Sequence, residues 1–200
     1  MGGSVKANML KDALVEYCAP TLAGLKTGSI CTVKNGSKDI NNEIRELNRC
    51  LTKKGLSLIP LRRTDGTTLV YLYRPDRLKR DLQAAEAKKI LEKKGYPWQS
   101  PERSVVTLIR HLMTDKDFPH EIGLFLGYPP SDVAGFMKDS RKGVKCCGCW
   151  KAYGNECEAQ RIFESYKRCT EIYCRERNRG KSLEKLIVDT RSRDALQVAM

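Results

Sequence analysis

Long apolar runs are missing from this 200-residue chain. Nothing in it approaches the ~18–20 consecutive apolar residues that span a bilayer. The opening residues, Met1-Gly2-Gly3-Ser4-Val5-Lys6, lack the basic-then-apolar profile of a secretory signal, and Lys6 spoils a myristoylation pattern. The expectation is a soluble, cytoplasmic protein with no membrane partner. There is no phosphate loop, no dinucleotide fingerprint and no His-Glu-x-x-His. Histidine is scarce, with two residues, and no Ser-His-Asp spacing supports acyl transfer. The expectation therefore leans away from an enzyme. Hydrophobic residues make up 40%, enough for a real core, so a disordered or collagen-like chain is excluded.

Basic charge is plentiful. Lys and Arg number 37 against 24 Asp and Glu, a net charge of +13. Residues 45–94 hold 14 basic and 6 acidic side chains, and residues 138–185 hold 13 and 7. Two basic regions thus flank a slightly acidic middle. Such a surface attracts polyanions, nucleic acid first among them, although Lys-rich helix faces also serve solubility alone.

Periodicity predicts a single α+β domain over 1–200, its core at about 7–188 before a frayed polar tail. A short helix is expected at 7–17, ended by Cys18-Ala19-Pro20, then a strand at 28–33. Ile40, Ile44, Leu47 and Leu51 form one stripe of a helix that Ser37 or Asp39 can cap, with Gly55 at its end. Residues 56–61 and 68–73 flank Asp65-Gly66, a hairpin signal, so a small antiparallel sheet is expected to be built on this hairpin. The second strand is apolar on both faces, and Pro60 places the first at an edge. Helices follow at 75–94 and from Ser100-Pro101, with two short ones in 120–139. Residues 144–153 read as extended. A long helix from Glu156 and a short one at 182–188 complete the chain, so several helices pack the sheet.

Nine cysteines in a reducing compartment point to thiols or metal ligands rather than disulfides. Cys146-Cys147-Gly148-Cys149 contains a Cys-x-x-Cys pair, and Cys169 and Cys174 lie further on. Four thiolates at that spacing match a zinc or iron site, while the pair alone suits a redox thiol. Against a metal, Cys169 and Cys174 lie about 140° apart around a helix. Cys146 and Cys149 would also face opposite ways on a strand unless Gly148 bends it. A purely structural role stays open, as does Cys18 completing a set from a distance. Lys145 and Lys151 would favour a thiolate.

The segment His120 to Phe136 has the small-residue, turn-glycine and apolar spacing of a helix-turn-helix. Its second helix would expose Ser131, Asp132, Gly135 and Lys138, a poor set for a phosphate-lined groove. His120 and Glu121 invite a catalytic or ligand reading. An imidazole at a helix N-terminus after Pro119 is the structural alternative, and His111 is read as structural.

Three stretches are distinctive: Cys18 to Lys26 (CAPTLAGLK), Phe118 to Pro129 (FPHEIGLFLGYP) and Cys146 to Gly154 (CCGCWKAYG). Together they resemble a bacterial family of free-standing proteins of this size, a domain of unknown function with no assigned reaction or cofactor. The resemblance runs from about Leu14 to Val188. It implies one domain, and a Cys-x-Gly-Cys-Trp-Lys-x-Tyr-Gly motif carried by Cys146, Cys149, Trp150, Lys151 and Tyr153. Asn155 stands where the family pattern has an acid. The sulfurs it favours are Cys146 and Cys149, with Cys169 and Cys18 after them, and zinc, iron or haem are the cofactors weighed.

Overall fold

Asp65-Gly66 turns the chain back on itself, with Gly66 at φ +82, the conformation a two-residue hairpin loop requires. In the computed structural model, which describes residues 9–35, 39–115 and 117–190, this hairpin joins β2 (Ser57–Thr64) to β3 (Thr67–Tyr73). A third strand, β1 (Gly28–Lys34), adds antiparallel to β3, pairing Gly28 with Tyr73 through Lys34 with Thr67. The order β1-β3-β2 puts the apolar strand in the centre and Pro60 at an edge, as expected. A bulge follows Pro60, whose nitrogen has no hydrogen to give the ladder.

Each face of the sheet carries its own layer. Val70 and Leu72 of β3, Cys31 and Val33 of β1 and Leu58 of β2 meet α1 (Met9–Leu22), α2 (Ile40–Leu51) and α9 (Leu183–Leu186). Tyr71 faces the other way. It joins α3 (Pro75–Leu82), α4 (Ala85–Lys93), α5 (Pro101–Thr114), α6 (Ile122–Phe125) and α7 (Pro130–Lys138). Strand periodicity alone divides β3 between the two clusters. Arg74, 2% exposed just after β3, ties the first layer to the sheet by donating to the carbonyls of Thr21, Leu22 and Val188.

Several sequence expectations needed correction. The first helix runs through Pro20 to Leu22. Proline in the last turn costs one hydrogen bond, and its carbonyl accepts from the N–H groups of Leu25 and Lys26 at 2.8 and 3.1 Å. The single helix expected at 75–94 is two. Leu78 and Leu82 share one stripe and Ala87 and Leu91 another. Leu82 and Ala87 are five residues apart, about 140° around a continuous helix. A break at Gln83-Ala84 turns both stripes inward. Asp39 caps α2, accepting from the Asn41 N–H, whereas Ser37, Met1–Lys6 and the tail 191–200 lie outside the described residues.

The 144–153 segment is a small hairpin rather than one extended strand. β4 (Cys146–Cys147) pairs with β5 (Lys151–Ala152) across Gly148-Cys149-Trp150. The long helix α8 (Glu156–Asn178), capped by Asn155, then runs from this hairpin back to α1.

Candidate functional site

Three local structures meet at one place. The first is the turn after α1, where Gly24 at φ +79 and the double acceptor at Pro20 aim Lys26 inward. The second is the turn between α6 and α7. Gly127 (φ +76) packs against Thr27, so closely that a Cβ there would come 2.7 Å from the Thr27 hydroxyl. Tyr128 is thereby set beside Lys26. The third is the cysteine hairpin, laid across both.

Asp132 holds the hairpin down. Buried at 4% exposure in the first turn of α7, its carboxylate accepts from Trp150 Nε1 at 2.7 Å and from the backbone N–H groups of Tyr153 and Gly154 at 2.8 Å each. Trp150 stacks on Tyr128 with centroids 4.9 Å apart and meets Phe163 of α8 edge-on at 4.5 Å. The Tyr128 hydroxyl donates to the Cys149 carbonyl at 3.0 Å. Gly148 provides the bend that the sequence required, its N–H bonded to the Trp150 carbonyl, and a Cβ there would overlap the Phe163 ring.

The bend does not gather three or more metal-ligating side chains among the described residues. Cys149 is exposed, with its carbonyl held by the Tyr128 hydroxyl. Cys146 is half-buried. Burial, then Glu156, then Cys147, Asp132 and Cys157, raise its thiol above the ordinary value. Cys169 is buried in α8, its thiol pushed up to about 11 by burial. Cys18 is fully buried against Cys31, sulfur to sulfur 3.9 Å, and its thiol is raised well above normal, first by that contact. The expected convergence of Cys18, Cys146, Cys149 and Cys169 on one metal is therefore not found. Among the described residues no group of three or more His, Cys, Asp or Glu side chains is placed to hold a metal ion.

The lysines that sequence placed beside the thiols are engaged elsewhere. Lys145 donates to the Gly154 carbonyl at 2.7 Å and Lys151 to the Ser140 carbonyl at 2.9 Å. The buried ammonium of the site belongs to Lys26. It is 9% exposed and lies over the rings of Tyr128 and Tyr166, 5.0 and 5.8 Å from their centroids. Burial lowers its pKa, while Cys149 and then Cys18 pull it back up. Burial raises both tyrosines as well, Tyr166 to about 12. Lys26 and Tyr128 lie inside two of the distinctive motifs, with no local feature that marks either as part of a site beyond a charged residue ending an otherwise apolar motif.

His120 does not cap α6. It is exposed and edge-on to Phe136 at 4.9 Å, beside a pocket of about 210 Å³ also lined by Phe118, Tyr128, Trp150 and Lys151. Glu121, its sequence neighbour, points away into the core. It accepts from the Tyr96 hydroxyl at 2.9 Å and lies 3.5 Å from His111 Nδ1. The two residues thus serve different environments and form no joint site. On α7 the helix-turn-helix reading fails at the face it needs. Asp132 is buried under the hairpin, and a Cβ at Gly135 would stand 2.5 Å from the Tyr153 ring.

The molecule is an α+β protein that displays an exposed cysteine hairpin above a buried, aromatic-framed lysine. It belongs to the family described as "Protein of unknown function (DUF3793)", which matches residues 14–187. No curated protein and no solved structure matches the chain. Among the described residues no helix is long and apolar enough to cross a membrane.

Proposed function

We propose that this chain is a thiol–disulfide exchange protein working through Cys146 and Cys149. The observation that carries the reading is the partly exposed Cys-x-Gly-Cys turn, clamped by Asp132 and by the Tyr128 hydroxyl on the Cys149 carbonyl. Reactive thiols lie at least partly exposed, whereas structural cysteines such as Cys18 and Cys169 lie in the core. In the exchange, two protein thiols become the Cys146–Cys149 disulfide. A disulfide of low molecular weight or on another protein takes the two electrons and leaves as two thiols. Among the described residues no group of three or more ligands is placed to hold a metal ion, which favours this over a closed zinc tetrahedron.

The test is equilibration of the full chain with defined ratios of reduced and oxidised glutathione, followed by alkylation and mass spectrometry. The reading expects one intramolecular disulfide confined to 146–149, formed and lost cooperatively over a narrow range of ratios. Cys146 and Cys149 remaining reduced and no more reactive than Cys157 at every ratio overturns it. A metal retained on anaerobic purification, and lost with Cys149→Ser, also overturns it in favour of a metal site.

A further inference from the structure

Between the cysteine hairpin and the α6–α7 pair lies a pocket of about 210 Å³ that thiol exchange does not use. Its walls come from separate stretches of chain: Phe118 and His120 ahead of α6, Gly123 within it, Phe136 of α7, and Trp150 with Lys151 of the hairpin. Gly123 lets Val133 and Tyr128 pack onto one wall, since a Cβ there would stand 2.8 Å from a Val133 methyl and 3.2 Å from the Tyr128 ring. The lining is mostly aromatic and aliphatic, the usual character of a site for a small organic molecule. A dry cavity of about 150 Å³ takes a benzene ring. A pocket of about 210 Å³ has room for one such ring and a short substituent.

Polar groups in the lining are few, and they decide what the substituent is. Asp132 is its one acidic side chain, and that carboxylate already accepts from the Trp150 indole and from the Tyr153 and Gly154 amides. Lys151 gives one proton to the Ser140 carbonyl at 2.9 Å and keeps two, with its ammonium 5.7 Å from the centroid of the Phe136 ring. His120 is exposed and edge-on to that same ring at 4.9 Å, and its imidazole carries an N–H in either tautomer. Phe136 is thus flanked by two nitrogen donors. An anion seated there gains charge-assisted hydrogen bonds, whereas an ammonium would face the like charge of Lys151.

From this arrangement we infer that the pocket binds a small aromatic carboxylate, its ring among the aromatic side chains and its carboxylate on Lys151 and His120. The site is independent of the exchange reading, and neither needs the other. It has a mechanical consequence for the hairpin all the same. Trp150 and Lys151 belong to the hairpin, while Phe136 and Gly123 belong to the helices beneath it, so the ligand fits only while the hairpin is seated. By mass action its binding opposes opening of the segment that carries Cys146 and Cys149.

The experiment is an NMR titration of the full-length, ¹⁵N-labelled chain at neutral pH, with 3-phenylpropionate and 3-phenylpropylamine as probes of equal length and opposite charge. The acid should bind with a dissociation constant below about 1 mM, and the amine at least about tenfold more weakly. The Gly123 amide and the Trp150 indole N–H should move, while the Trp98 indole N–H stays in place. Lys151→Met should weaken the acid about tenfold, and His120→Ala, at an exposed position, by about threefold. With the acid at about ten times its dissociation constant, exchange of the Tyr153 and Gly154 amides should slow by about tenfold. No movement of Gly123 and Trp150 with about 10 mM acid overturns the inference, and so does an amine that binds as tightly as the acid. Should Lys151→Met not fold, His120→Ala decides alone, and an affinity it leaves unchanged removes the carboxylate from this pocket. Amide exchange at Tyr153 and Gly154 unaltered by saturating acid also overturns the site, because a ligand held between hairpin and helices must protect them.

Discussion

Asp132 is where one atom group decides the geometry of the whole site, and its replacement is the sharpest test of the architecture. The carboxylate is 4% exposed and takes three hydrogen bonds: the Trp150 indole N–H and the Tyr153 and Gly154 amides. Hydrogen bonds to a charged group contribute about 1.5–3 kcal/mol each, so three would sum to well over 4 kcal/mol if the hairpin stayed in place without them. It has an easier course. Lifting off lets all three donors find water, which limits the loss to the free energy of seating the hairpin, about 3 kcal/mol. Asp132→Ala is therefore expected to leave the main sheet folded while the 144–154 hairpin opens. Asp132→Asn keeps an acceptor for the two amides but turns an NH₂ toward the indole N–H, and should cost about half as much. Amide hydrogen exchange reads this directly, with protection at Tyr153 and Gly154 falling by about two orders of magnitude while β3 amides keep theirs. Trp150 fluorescence should shift red as it leaves the Tyr128 ring. Unchanged protection at Tyr153 and Gly154 in Asp132→Ala would refute the clamp.

Two further outcomes follow from the same packing. Gly148→Ala inserts a methyl into the Phe163 ring and should destabilise the hairpin by about 1–3 kcal/mol. Thermal unfolding of the single and double variants checks this, since Phe163→Ala must recover part of the loss in Gly148→Ala if the two share one space. Glu184 gives the pH dependence. Its hydrogen bond from Lys11, 2.8 Å long, holds its carboxyl down at about 2 against an ordinary 4.5. A depressed folded pKa adds stability that is complete above about pH 4.5 and disappears as pH falls toward 2. Because the pair is well exposed, that contribution stays under about 1 kcal/mol. Glu184→Gln should therefore match wild type at pH 2 and fall slightly below it at pH 7 in urea unfolding. An equal difference at both pH values would show that the pair is not what Glu184 provides.

Local rules were enough wherever one stretch of chain settles its own geometry. Asp65-Gly66 forced a hairpin, Ser100-Pro101 a helix start, and the uniformly apolar 68–73 segment a central strand, because turn φ, capping and period-2 burial are properties of neighbouring residues. Cys146 and Cys149 stood out because their spacing is local too. Where two local signals competed, the reading slipped. Residues 75–94 look uniformly helical, yet the phase of Leu78/Leu82 against Ala87/Leu91 required a break.

Partners far apart in the chain were invisible to that logic. Nothing near the cysteine hairpin in sequence announces that the buried ammonium of the site would be Lys26, since Lys145 and Lys151 look better placed until their nitrogens are found on backbone carbonyls. Asp132 reads as a surface acid on a short helix and becomes the buried anchor of a hairpin some twenty residues on. Composition and periodicity fixed which elements form, because propensity and amphipathicity act over a few residues. Which charged side chain is buried against which rings was decided by the packing of α1, α7 and α8 around the sheet, because such contact depends on distance through space and not along the chain.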